Sequence, residues 1–181
     1  MSDGDVGTRA KARRMLPLAG LLLILLSMSA FAQDDLELMP PPLKLFSKDE
    51  LAKLNTKSDL KDRTKLTLEL MNNRLVAAEA ALPADNFDGI FRELGAFHAL
   101  MDHGLVVVQK QYPGGKALDS FKRIDIALRG FLPRLESLRR DVPPRYEDYI
   151  RGLLKNTREA RTKATEPLFA DTVVPNRGAE F

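Results

Sequence analysis

Cysteine is absent from the 181 residues, and so is tryptophan. The missing thiols exclude disulfides, thiol catalysis, cysteine-ligated zinc, iron–sulfur clusters, covalent c-type haem attachment and a lipoprotein anchor. Histidine is nearly absent too, with two residues. Glycine and proline number 11 each, too few for a collagen-like or low-complexity chain. No large excess of one charge exists: 28 Lys+Arg against 25 Asp+Glu leave a net +3. That balance does not point to nucleic acid as a partner. What is present is ordinary globular material, 44% hydrophobic, in a length that suits one domain.

The first 32 residues carry an address. Arg9, Lys11, Arg13 and Arg14 precede an apolar run from Leu16 to Leu26, followed by Ala30-Phe31-Ala32. A basic stretch, an apolar core and an A-x-A site are the three parts of a secretory signal peptide. Cleavage after Ala32 is expected, with Gln33 opening a periplasmic or secreted protein that keeps no stable membrane anchor. An uncleaved signal anchor is the alternative, because Leu16 to Ala32 is just long enough to span. Arg13-Arg14 also has some likeness to a twin-arginine export signal, although its flanks depart from the fuller pattern. Removing the four Lys+Arg and two Asp+Glu of residues 1–32 leaves 24 against 23. The basic character thus belongs largely to the signal. An exported chain without cysteine must then be held together by core burial.

Residues 33–46 read as a proline-rich linker around Pro40-Pro41-Pro42. A helical domain is expected over 47–165 and a disordered tail over 166–181. Ser47 and Glu50 form a capping box for the first short helix, with Phe46 able to staple onto Leu51. The second helix spans about Asp59 to Leu82, with Ser58 as its cap and Leu68, Met71, Leu75, Ala78 and Leu82 on one face. The third starts near Asn86 and carries Phe87, Phe91, Leu94, His98, Met101, Leu105 and Val108. The fourth runs from about Lys116 to Arg140 on Phe121, Ile124, Leu128, Phe131, Leu135 and Leu138, interrupted by Gly130 and Pro133. The fifth begins at Pro144, uses Tyr146, Ile150, Leu153, Thr157 and Ala160, and fades near Thr165. No strand-like alternation persists. The fold class is therefore all-α: an antiparallel four-helix bundle with a short extra N-terminal helix.

Four acid–base pairs at a spacing of four (Asp88–Arg92, Asp119–Arg123, Asp125–Arg129 and Glu147–Arg151) read as a solvated outer face. Arg74, beside the stripe, is expected to reach outward.

Chemistry has few places to reside. His98 and His103 are about 140° apart around a helix, so one metal cannot take both. His98 and Asp102 share a face, but two ligands make no site. The paired Glu-x-x-His motifs of di-iron bundles and the H-E-x-x-H of zincins are missing. His98 is expected as a hydrogen-bonded residue at the core edge, and His103 at the surface. Met71 with His98 is the weak candidate pair for a haem or other small ligand held between two helices, against the plainer role of methionine as core filler. No G-x-S-x-G, G-x-G-x-x-G or P-loop occurs. The chain is read as no enzyme, with no catalytic residue, metal ligand or cofactor assigned.

The stretch Lys61-Asp62-Arg63-Thr64-Lys65-Leu66-Thr67-Leu68-Glu69-Leu70, continuing through Arg74-Leu75 to Ala78-Glu79-Ala80, carries a resemblance. It is similar to helical extracytoplasmic domains of unknown function found beside bacterial anti-sigma factors. The resemblance covers this helix alone and implies a non-catalytic module of the cell envelope, with no functional residue to carry over. Binding is the expected role, to an envelope protein or to a second copy, through an apolar helix face. Leu66, Leu70, Val76 and Val107 either supply that face or widen the core stripe. A small-ligand, metal or haem-binding bundle is the alternative.

Overall fold

The computed structural model describes residues 40–112 and 115–170. The expected signal peptide over 1–32, the first part of the expected linker and the expected tail beyond Ala170 lie outside the described residues. Five helices appear: α1 Lys48–Asn55, α2 Leu60–Ala81, α3 Phe87–Gln109, α4 Gly115–Asp141 and α5 Pro144–Ala170. Helix takes 85% of the described residues, and none of them is in a strand.

Local chemistry sets the helix starts. The capping box at α1 is complete: Glu50 N–H donates to Ser47 Oγ at 3.1 Å, and Ser47 N–H donates to the Glu50 carboxylate at 2.7 Å. Such a cap contributes about 1 kcal/mol. Phe46 turns its ring edge-on to His103, while Leu51 stays exposed. The cap of α2 is Asp59 instead of Ser58. Its carboxylate accepts from Lys61 and Asp62 N–H at 2.9 and 3.4 Å, and a negative charge suits a helix N-terminus better than a hydroxyl does. A 3₁₀ turn, Leu82–Ala84, holds Pro83 and closes α2. Asp85 follows in the left-handed region at φ 51°, a conformation that Asp tolerates, and Asn86 then caps α3.

One of the last two helices keeps its expected span and the other runs further than its sequence signals suggest. α4 continues through Pro133. Proline forfeits the bond to the Arg129 carbonyl, yet Phe131, Leu135 and Leu138 are all buried around it. α5 passes Thr165 and Pro167 to reach Ala170. Buried Ala164 and partly buried Leu168 tie that last stretch to the core, so helix replaces the expected tail over 166–170.

The stripes meet in one core. Met71, Leu75, Phe91, Leu94, Phe121, Leu128, Leu135, Ile150 and Leu153 all belong to it. Leu66 and Leu70 pack against it and so widen the α2 stripe, whereas Val76 is exposed. Polar pairs record how neighbours run. Arg74 meets Glu93 and Arg63 meets His103, so α2 and α3 are antiparallel. Asp125–Arg161 and Arg139–Glu147 make α4 and α5 antiparallel. Lys116–Asp59 and Arg134–Glu79 place α4 alongside α2 in the same sense. His98–Asn156 and Asp88–Tyr146 do so for α3 and α5.

The charged face departs from a uniformly solvated one. Asp125–Arg129 and Glu147–Arg151 form as spaced, but Asp125 is buried and also accepts from Arg161 Nε at 2.9 Å. Asp88 accepts from the Tyr146 hydroxyl at 3.1 Å. Arg74 turns inward: its Nε and Nη2 donate to Glu50 at 2.9 and 2.8 Å, and Nη1 donates to Glu93 at 2.8 Å. A carboxylate on each of two neighbours outweighs the solvation an outward rotamer would gain.

Candidate functional site: the seam between the N-terminal segment and α3

Residues 40–46 cross α3 without forming a helix of their own. The contact begins at Gly95, which lies buried between Leu94 and Ala96. A Cβ there would come within 2.6 Å of the Leu43 carbonyl oxygen and 3.2 Å of Pro42 Cβ. Only glycine lets the two backbones approach this closely. Lys44 then pairs with Asp102 at 3.3 Å, and Phe46 sets its ring 5.5 Å from that of His103 at an interplanar angle of 61°. Leu45 N–H donates to the Leu43 carbonyl at 3.0 Å, so the chain turns at Lys44 within this track along α3.

His98 lies under that track and is 3% exposed. Its Nε2 is 3.3 Å from Asn156 Nδ2 on α5 and 3.7 Å from Asp102 Oδ2, the same oxygen that Lys44 holds. Its Nδ1 is buried with no partner. Burial pushes the imidazole below its ordinary value, Lys44 adds to that effect, and Asp102 opposes it. His103, expected at the surface, is half-buried between Phe46 and Arg63, whose Nη2 is 3.3 Å from its Nε2. Burial lowers its affinity for a proton, and Arg63 and Lys110 lower it further. Tyr149 donates its hydroxyl proton to the Leu94 carbonyl at 3.3 Å, and burial pushes that phenol up.

A groove of about 630 Å³ opens where the segment leaves α3, between Pro40–Phe46 and the helix side chains Arg74, Phe91, Arg92 and Ala96. Leu43 and Leu45 border it and are 77% and 67% exposed. Arg74 is held there by its two carboxylates, which keep the guanidinium charged. Burial alone would raise the Glu50 carboxyl, but hydrogen bonds from Arg74 and Ser47, with the Arg74 charge, hold it below its usual value.

Met71 and His98, the candidate ligand pair, have separate surroundings. Met71 lines a core cavity of about 10 Å³ with Thr67, Met101, Gly104 and Leu128. That volume accommodates about one water molecule. His98 faces α5 and the N-terminal segment instead. Among the described residues no three His, Asp or Glu side chains converge as a metal-ligand group, and no helix is long and apolar enough to cross a membrane.

Sequence reasoning missed Lys44, Gly95 and Asn156 as parts of one place. Gly95 was the available signal, because a glycine in mid-helix beside a core stripe marks a close backbone approach. The chain matches no protein-family model, no curated protein and no solved structure.

Proposed function

We propose that this protein is exported and acts by binding, as a non-catalytic interaction module of the bacterial envelope. The observation that carries the reading is the groove beside α3, bordered by Leu43 and Leu45 with their side chains in solvent. Two leucines moved from water into a partner contribute about 1.5–3 kcal/mol each. A partner's apolar helix face or a second copy of this chain has the surface to cover them. The signal-like first 32 residues and the resemblance of the 61–80 helix to extracytoplasmic domains support the address. The opposed α2–α3 and α4–α5 pairs support reading the four long helices as one four-helix bundle with α1 as an extra element. The cavity of about 10 Å³ beside Met71 gives a ligand-binding bundle no comparable support.

Photocrosslinking in living cells tests the reading, with the crosslinking residue in place of Leu45 or, as a control, of exposed Lys122. A discrete adduct from position 45 alone, in the envelope fraction, is expected, and its mass separates a self-dimer from another protein. N-terminal sequencing of the recovered chain should begin at Gln33. Cytoplasmic retention with no adduct at position 45 would overturn both parts.

A further inference from the structure

We propose that residues 43–46 form a proton-sensitive strap, lying on α3 over His98 and His103 and lifting when these imidazoles take up protons. The chain has only two histidines, and both connect to these four residues: His103 meets the Phe46 ring, and His98 shares an Asp102 oxygen with Lys44. This goes beyond the binding role proposed above and does not depend on it.

The attachment consists of Pro42 and the Leu43 carbonyl over Gly95, the Lys44–Asp102 ion pair, and the Phe46 ring, which meets His103 and packs against the core. Leu43 and Leu45 point into solvent, so docking gains nothing from them. Two of the three attachments involve an imidazole or its partner.

At His98 the facing groups are Asp102 on its own helix, Lys44 on the strap, and the uncharged Asn156 and Tyr149 on α5. A proton on His98 sets a second cation against Lys44 and competes for the same Asp102 oxygen. Both effects weaken the strap's one ion pair. At His103 the facing groups are Arg63 from α2, which also donates to Asn55 of α1, Lys110 on α3, and the Phe46 ring. Both charged neighbours are cations. A protonated ring there is relieved by moving away from Arg63 and further into water, out from beside Phe46. With the docked imidazoles held below 6.5, the docking free energy is fully present above that pH. It is lost as pH falls through the docked values.

NMR of the full chain at pH 7.5 and 5.0 tests the proposal, read by two nuclear Overhauser contacts, Leu43 to Gly95 and the Phe46 ring to the His103 ring. Both should be present at pH 7.5 and largely lost at pH 5.0, while contacts between α4 and α5 hold. Gly95→Ala provides the undocked reference, without the Phe46–His103 contact at either value. The double variant His98→Gln/His103→Gln should keep its Leu43–Gly95 contact at pH 5.0. Unchanged contacts in the parent chain overturn the proposal. So does an equal loss in the double variant, which would assign the step to carboxylates. Should the double variant fail to fold, the imidazole Cε1 resonances of the parent chain decide. Their titration must coincide with the loss of the two contacts, and titration in another pH interval overturns the strap.

Discussion

Arg74 holds both oxygens of the Glu50 carboxylate, 24 residues earlier in the chain, at 2.9 and 2.8 Å. The same carboxylate completes the cap of α1 through Ser47 N–H. One acid therefore starts the short helix and fastens it to α2, while the third arm of Arg74 adds Glu93 from α3. A helix of eight residues has little stability of its own, so this cluster keeps α1 in place at the base of the groove.

Removing the cation leaves Glu50 and Glu93 facing each other in a half-buried setting. Arg74→Met should cost about 2 kcal/mol, below the full penalty for a buried pair because the guanidinium keeps some solvent contact. Urea unfolding followed by circular dichroism measures it. Glu50 is held below its usual 4.5, so its stabilising share is present above that pH and lost as the carboxyl protonates. The gap between parent and variant should be full at pH 7 and narrow below pH 4.5. A gap independent of pH would mean that the aliphatic stem of Arg74, not its charge, carries the effect.

Asp125 is the acid at which the solvated-face reading fails, and it predicts a coupling across helices. It accepts from Arg129 one turn away and from Arg161 on α5. Asp125→Ala should lose about 2–3 kcal/mol, since Arg161 is left partly buried without its partner. A double-mutant cycle with Arg161→Ala should return a coupling of about 1 kcal/mol or more, and the cycle with the more exposed Arg129 should return less. Equal couplings would place Asp125 outside the α4–α5 seam.

Spacing alone made the helices readable. Phe121, Ile124, Leu128, Phe131, Leu135 and Leu138 recur by three and four and are all buried, because an amphipathic helix has one way to hide its stripe. Helix ends were less legible. The helix around Pro133 ends where its spacing puts it, but Pro167 is a strong local breaker, and the partial burial of Leu168 beyond it outweighs one lost hydrogen bond. The seam was least legible of all. Lys44 meets Asp102 across 58 residues, and neither residue has a periodicity or motif that encodes the partner. Arg74 beside a core stripe is equally compatible with water or with two acids, and only the placement of α1 and α3 decides between them.

Gly104 tests how close α2 and α3 must come. A Cβ at this position would lie 2.9 Å from Thr67 Cγ2, a branched side chain already bonded to the Arg63 carbonyl. Gly104→Ala should therefore destabilise by about 1–2 kcal/mol despite the better helix propensity of alanine. Thr67→Ser in the same background removes the obstructing methyl and should restore most of the loss. Failure of that rescue would mean that the backbones, not the methyl, set the spacing.

Gly95 and Gly130 give the sharpest contrast, because both are helical glycines and differ only in what lies above them. Nothing is within 4 Å of a Cβ built at Gly130. Gly130→Ala should raise stability by about 0.5–1 kcal/mol, or roughly 2–4 °C in Tm. At Gly95 the same methyl would lie 2.6 Å from the Leu43 carbonyl oxygen, so the segment over it must shift. The helix gains its propensity and the strap loses its seat. Global unfolding of Gly95→Ala should thus match the parent to within about 1 kcal/mol, while the Phe46–His103 ring contact is lost at neutral pH. A loss of several kcal/mol would instead make the segment an integral layer of the core, in which case neither proton uptake nor a partner could lift it without unfolding the domain.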